Sequence, residues 1–570
     1  MTNIPTRPAR HFVSEKLSIT AWSDLLPYYQ DLSQRELASV DELKQWMRDR
    51  TELEAILGED QAWRYIKMNI DTRDDVLKEK YTFLVEEIMP HIAPFDHALN
   101  KKVVESPFFA ELDQARYKTY IRTLKKAIEI YREENIPLFT ETAKKEQEYG
   151  SLAAAMTVEI DNETLTMQQA GHLLKGVDRE KRESVYRVMA DRRLQDTEAL
   201  DTLLDELIAL RQRIARNAGF DNYRDYIFVS MGRFDYTSED CMNMHDSIAS
   251  AVMPALNDFE DERKKLLDLD DYRPWDTTVD AMHRDPLKPF EGGQQLLDNS
   301  IACFQGIRPF FGECLSTMKA MEYLDLESKQ GKAPGGFNYP LYEIGVPFIF
   351  MNAVGTQRDV ETLMHEGGHA IHSFLVRELE LNEFKSTPSE VAELASMSME
   401  LLSMHTWGKF YQDPEDLKRA REEQMKGSLD ALPWIAAVDR FQHWMYTTEH
   451  TAQERREYWN GLMDTFGSTA VDWTGFENTR SNMWQKQLHI FEVPFYYIEY
   501  AIAQLGAIAM WRQFKLNGDE ALDNYISALS LGYTKTIPEF YKAAGIEFNF
   551  SKEYIGELVA FVQKELEELS

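Results

Sequence analysis

The 570-residue chain has little cysteine: Cys241, Cys303 and Cys314, none in a C-x-x-C pair. Three widely spaced cysteines exclude a disulfide framework, and we read all three as buried thiols. The first 25 residues, MTNIPTRPARHFVSEKLSITAWSDL, lack the apolar core of a secretion signal. Nowhere do 18 apolar residues run uninterrupted, so no membrane span is expected, and the cytoplasm is the expected compartment. Glycine and proline are scattered, with no low-complexity tract and no fixed repeat, which argues against disorder and against a solenoid. Positive charge is scarce as well. With 63 basic against 96 acidic side chains the net charge is −33. Such a surface repels nucleic acid phosphates and anionic membranes, so neither is an expected partner.

What is present is mostly amphipathic helix. ELKQWMRDRTELEAILGEDQAWRYIKMNI, from Glu42, and LQDTEALDTLLDELIALRQRIARNAGF, from Leu194, place apolar residues at three- and four-residue steps. The second stops at Gly219 in the manner of a C-cap. SEDCMNMHDSIASAVMPALNDFEDERKKLLDL, from Ser238, repeats the pattern, with a break expected at Pro254. Two stretches interrupt it. MTVEIDNETLTM, from Met156, alternates around Asp161-Asn162 and predicts a β-hairpin. APGGFNYPLYEIGVPFIFMN, Ala333 to Asn352, predicts a Gly335-Gly336 loop and two short extended runs separated by Gly345 and Pro347. The glycine pair lacks the Lys-Ser/Thr tail of a phosphate loop. Composition shifts near residue 190, which gives an expected division into a helical region, 1–190, holding the hairpin near 156–167, and a region 191–570 holding the motifs below.

Residues 364–372 read MHEGGHAIH. Thr356, with Asp359 three positions on, is a helix N-cap signal. His365 and His369 then stand one turn apart on the same face, able to present two neutral nitrogens to one cation. Glu366, turned by about 100° around the axis, can reach a water at that cation without ligating it. H-E-x-x-H on a helix is a zinc peptidase signature; two histidines on a core face are the plainer alternative. Two adjacent glycines are costly in a helix, about 1 kcal/mol each relative to alanine. Gly367 and Gly368 make sense if another backbone, a substrate or a facing helix approaches closely there.

A hydrolytic zinc takes three protein ligands and keeps one open position. Position 375 is Leu, so the histidine of a metzincin motif is absent, and His372 reads as packing. The third ligand is expected on KSTPSEVAELASMSMELL, from Lys385, where Thr387-Pro388-Ser389-Glu390 predicts a capping box with proline at the first helical position. Glu393 sits among Val391, Ala392, Leu394 and Ala395, company that makes a carboxylate costly unless it is paired or on a metal. Glu400, two turns on, is a candidate support for a ligating histidine. Near the C-terminus, HIFEVPFYYIEYAIAQLGAIAMW places Tyr496 and Tyr500 four apart after Pro494, a possible helix start, with His489 just before. These are candidate donors to an oxyanion; the same pattern also describes core aromatics.

His365-Glu366-Gly367-Gly368-His369-Ala370-Ile371-His372, then Glu393-Leu394-Ala395-Ser396, then His489 with Pro494-Phe495-Tyr496-Tyr497 and Tyr500-Ala501, resemble the thimet oligopeptidase family of zinc metallopeptidases, closest to its oligoendopeptidase F and Pz-peptidase branch. Ala395 stands where the thimet branch usually has proline. The resemblance implies a mainly α-helical fold, with two helical lobes around a deep cleft and a small β-hairpin or antiparallel sheet beside the zinc helix. It implies one Zn2+ on His365, His369 and Glu393, Glu366 as base, and transition-state roles for His489, Tyr496 and Tyr500. The expected activity is cleavage of internal bonds in short unfolded oligopeptides. Phe350 and Asn352 of the Pro347–Asn352 run, with Gly335 and Gly336, are the expected substrate contacts, through strand addition. A zinc carboxypeptidase or dipeptidyl carboxypeptidase in a similar helical cleft is the alternative.

Overall fold

The computed structural model describes residues 4–569. Among the described residues helix predominates, and strands form two small sheets. The backbone groups into two compact units: one takes the chain up to Glu129, Leu287–Gln424 and Ala503–Phe548, the other Ile130–Pro286, Met425–Ile502 and the chain from Asn549.

In the first unit, α1 (Val40–Ile70) starts at Ser39, whose hydroxyl accepts from the Glu42 amide. It buries Trp46, whose indole donates to the Leu32 carbonyl at 2.8 Å, within a core that includes Leu25, Tyr29, Leu84 and Ile92. In the second unit the alternating run forms the antiparallel hairpin β1 (Thr157–Ile160) and β2 (Glu163–Thr166). Asp161 and Asn162 both have φ near +60°, as a type I′ turn requires. Also in the second unit, α2 (Ser238–Ala251) ends just before Pro254, which sits in the first turn of the following helix, Met253–Leu266.

The chain returns to the first unit with α3 (Gly292–Ile307) and a three-stranded sheet of β3 (Leu324–Glu327), β4 (Phe337–Tyr339) and β5 (Phe348–Ala353). The order is β3-β5-β4, with β3 parallel and β4 antiparallel to β5. β3 was not expected from sequence: its Leu-Asp-Leu-Glu gains a strand conformation only by pairing with β5. The sheet packs beside α4 (Gln357–Val376). Asp359 at the start of α4 accepts from the Thr356 amide at 2.8 Å and the Thr356 hydroxyl at 2.9 Å. α5 (Ser389–Ser403) begins one residue later than the sequence suggests. Pro388 is its N-cap, with extended backbone (ψ 149°) and no side-chain capping bond, so the expected Thr387 capping box does not form. α6 (Pro414–Thr447) and α7 (Ile498–Asn517) follow.

Candidate metal centre

α4 presents His365 and His369 from consecutive turns, their rings 4.9 Å apart and nearly perpendicular. α5 brings Glu393 to them: its Oε2 lies 3.3 Å from His365 Nε2 and 3.8 Å from His369 Nε2. One donor atom from each of the three residues falls within 4.8 Å of the others. Two imidazole nitrogens and a carboxylate oxygen at this spacing fit a divalent zinc-class ion with room for further ligands.

The neighbours hold these groups in place. His365 Nδ1 is 2.7 Å from Glu400 Oε1, and Gln424, which lies on α6, donates to the other Glu400 oxygen at 3.0 Å. This fixes the ring so that Nε2 faces Glu393. The Ser396 hydroxyl donates to Glu393 Oε2 at 3.0 Å, and the Tyr525 hydroxyl ties the α5 backbone by donating to the Ala395 carbonyl at 2.7 Å. Asn338 of β4 donates to the Glu366 carbonyl at 3.2 Å, linking sheet to helix. Neither Gln424, Tyr525 nor Asn338 carries a signal in a single sequence.

The glycines answer to two different neighbours. A Cβ on Gly368 would stand 2.7 Å from both the Ala395 carbonyl oxygen and Ser396 Cα, so this glycine is what lets α4 and α5 touch backbone to backbone. A Cβ on Gly367 would enter the Phe304 ring of α3, 2.8 Å from Cε2.

Electrostatics separate the roles. Burial pushes the Glu366 carboxyl up to about 7, the range of a base that works near neutrality. Burial likewise pushes His369 down to about 4, so it stays neutral as a ligand must. Burial also works against the charge on Glu393, but the His365 hydrogen bond and the two imidazoles hold it down at about 2. His365 goes the other way: burial opposes its proton, and the bonds to Glu393 and Glu400 outweigh that and raise it well above 6.5. His372 is buried against Phe540, consistent with packing.

Residues 172–300 and 311–559 match the sequence model of Peptidase family M3, and residues 14–131 that of the Peptidase M3 N-terminal domain. The chain belongs to peptidase family M3. Among curated relatives it is 22% identical over 417 residues to the chromosomal oligoendopeptidase F of Lactococcus lactis subsp. cremoris, covering 71% of this chain and 66% of that one. It is 21% identical over 421 residues to an oligoendopeptidase F homolog of Lactococcus lactis subsp. lactis, covering 72% and 68%. The match thus spans about two thirds of the length of these relatives. The fold is similar to that of Pz peptidase A solved with an inhibitor, with a TM-score of 0.88 at 24% identity over 98% of this chain and 99% of the other. These similarities place the M3 chain in the oligoendopeptidase F and Pz-peptidase branch.

The second unit of this M3 peptidase gathers His489, Tyr496 and Tyr500. The His489 ring is 6.2 Å from each tyrosine ring, and the two tyrosines are 5.6 Å apart. Tyr497 joins them at 4.6 Å from His489. The cluster is not made by one helical face. α7 starts only at Ile498, and Phe495 turns the chain with φ +68°, so Tyr496 projects from a turn and Tyr500 from the first turn of the helix. Burial pushes His489 down to about 4, and the Gln487 side-chain amide nitrogen lies 2.6 Å from its Nδ1.

The expected substrate contacts fare differently. β5 is the central strand, hydrogen-bonded on both edges, so it cannot accept an added strand. Phe350 is fully buried, stacked on Phe337 at 4.7 Å, and the Asn352 amide is spent on the Ala333 and Gly335 carbonyls at 2.7 and 2.9 Å. Both therefore hold the sheet. Gly335 and Gly336 are exposed in the loop leading into β4.

Proposed function

We propose that the chain is a zinc-dependent oligoendopeptidase that hydrolyses internal bonds of short unstructured peptides. The observation that carries this reading is the convergence of His365, His369 and Glu393, with Glu366 one residue along the same helix and its carboxyl raised to about 7. His365, His369 and Glu393 would hold the zinc ion, which when bound would supply Lewis acidity toward the scissile carbonyl and a water molecule. Glu366 takes the proton of the attacking water and delivers it to the leaving amine. Glu400 and Gln424 keep the His365 ring oriented. By family resemblance His489, Tyr496 and Tyr500 stabilise the oxyanion, and their clustering in the second unit supports a shared role. The substrate backbone pairs with a sheet edge beside α4. β4 is that edge, since its Asn338 already reaches the Glu366 carbonyl.

The test is Glu366→Gln. The substitution keeps size and removes the base, so zinc content should stay that of the parent while kcat falls by at least about 100-fold. Retained turnover in a zinc-loaded variant would exclude Glu366 as the base.

A further inference from the structure

The second unit holds a buried group of donors that the peptidase reading does not use. Cys241 and His245 stand one turn apart on α2, and Asp439 and His443 one turn apart on α6. Each pair therefore leaves its helix from one face. His245 Nε2 lies 3.0 Å and His443 Nε2 3.1 Å from the same oxygen, Asp439 Oδ2. Donor atoms of Cys241, Asp439 and His443 fall within 4.8 Å of one another. All four residues are buried, none more than 4% exposed.

Despite these short separations, neither imidazole makes an aligned hydrogen bond through either ring nitrogen, and neither Asp439 oxygen accepts one. Fully buried polar atoms are rarely left so. Nitrogens about 3 Å from an oxygen but not aimed at it are placed as neighbouring ligands of one ion are. A comparable separation, 3.3 Å, joins His365 Nε2 and Glu393 Oε2 in the first unit.

We propose that Cys241, Asp439 and His443 form a second metal site, taking a divalent zinc-class ion, with His245 beside Asp439. A thiolate and a carboxylate neutralise the dication, which removes the cost of an isolated buried carboxylate. Thiolate with imidazole is the donor mixture that selects zinc over magnesium or calcium. On loading, the thiol proton passes to solvent. The donors come from both helices and lie out of reach of solvent, so the ion is structural and clamps α2 to α6. The clamp bears on the aromatic cluster. Phe495, at the turn before Tyr496, packs on His443 at 5.2 Å, and its amide donates to the Gln442 side chain at 2.6 Å.

The two sites differ in one ligand that spectroscopy can see: only the second has a sulfur. Full-length protein is stripped of metal, reloaded with Co2+ and assayed for bound cobalt and for thiolate-to-cobalt charge-transfer absorption in the near ultraviolet. Two equivalents and the band are expected. Cys241→Ser should lose the band and bind one equivalent, whereas His365→Ala should bind one and keep the band. A parent protein that binds one equivalent with no band overturns the proposal and makes the group a proton-sharing polar cluster. Persistence of the band in Cys241→Ser overturns it too. Should Cys241→Ser not fold, His365→Ala decides: one equivalent with the band supports the site, and no band refutes it. Failure of the peptidase reading shows separately, as a stoichiometry that His365→Ala does not change.

Discussion

Gly368→Ala sets two effects of opposite sign against each other. Alanine is the better helix former, by about 1 kcal/mol in a helix interior. If Gly368 were an accident of sequence, the substitution would stabilise the protein by that amount. The geometry predicts the reverse. The new Cβ would lie 2.7 Å from the Ala395 carbonyl oxygen, 2.7 Å from Ser396 Cα and 3.1 Å from Met399 Cβ. Two of these are backbone atoms that no rotamer change can move. Relieving the contacts to ordinary separations of about 3.5 Å requires α4 and α5 to part by close to 1 Å. Overpacking of this kind costs about 1–3 kcal/mol. The net expectation is destabilisation of up to about 2 kcal/mol. The larger consequence is at the metal centre. Glu393 rides on α5, two residues before Ala395, while His365 and His369 ride on α4. Metal–ligand distances tolerate only about 0.2 Å, so zinc affinity should fall by about 10–100-fold. Urea titration reads the first effect, and competition with a chromophoric chelator the second. Gly427→Ala is the control: Gly427 lies inside α6, a Cβ there meets nothing within 4 Å, and that variant should gain about 0.5–1 kcal/mol with unchanged zinc affinity. If Gly368→Ala matches the control in both assays, the argument for helix contact at the metal centre fails.

Glu400→Ala removes the partner of His365 Nδ1, and zinc affinity should drop by about 10–100-fold, with Glu400→Gln less severe; chelator competition measures both. Zinc binding should also depend on pH with a definite sign. In the metal-free protein His365 is raised well above 6.5, so at neutral pH the ion must displace its proton. Apparent affinity should therefore fall as pH drops below that raised value, by up to about tenfold per pH unit for the one proton released, as isothermal titration in buffers of different ionisation enthalpy would show. A pH-independent affinity between 5 and 7, conditions of about that range being chosen to bracket an ordinary histidine, would contradict the assignment.

Much of the metal centre was legible because it depends on local rules. Four-residue spacing on a helix puts His365 and His369 together whatever the tertiary fold, and a lone glutamate among apolar neighbours marked Glu393. The reason for Gly368 was half legible, since two adjacent glycines inside a helix pointed to a close neighbour. Phe304, which fixes Gly367, lies on a helix far back in the chain and nothing local announces it. The same holds for Asn338, Gln424 and Tyr525, whose roles exist only after the chain has brought distant segments together. The sheet shows the limit most clearly. PFIFMN reads as a strand, but its place at the sheet centre depends on β3, whose Leu-Asp-Leu-Glu is unremarkable alone. Hence the sequence alone makes Phe350 and Asn352 expected substrate contacts, whereas the structure packs and bonds both within the sheet. The turn at Phe495 was hidden for a related reason: Pro494 is a fair helix start, yet Phe495 adopts a left-handed conformation fixed by Gln442, and the helix begins later.

The most direct test is cleavage of a defined oligopeptide blocked at both ends, followed by mass spectrometry of the products. The account predicts internal cuts by the zinc-loaded protein, none after chelation, and recovery when zinc is restored. A blocked peptide left intact while its free counterpart loses terminal residues would point instead to a carboxypeptidase or dipeptidyl carboxypeptidase. Cleavage indifferent to chelation would contradict the metal centre itself.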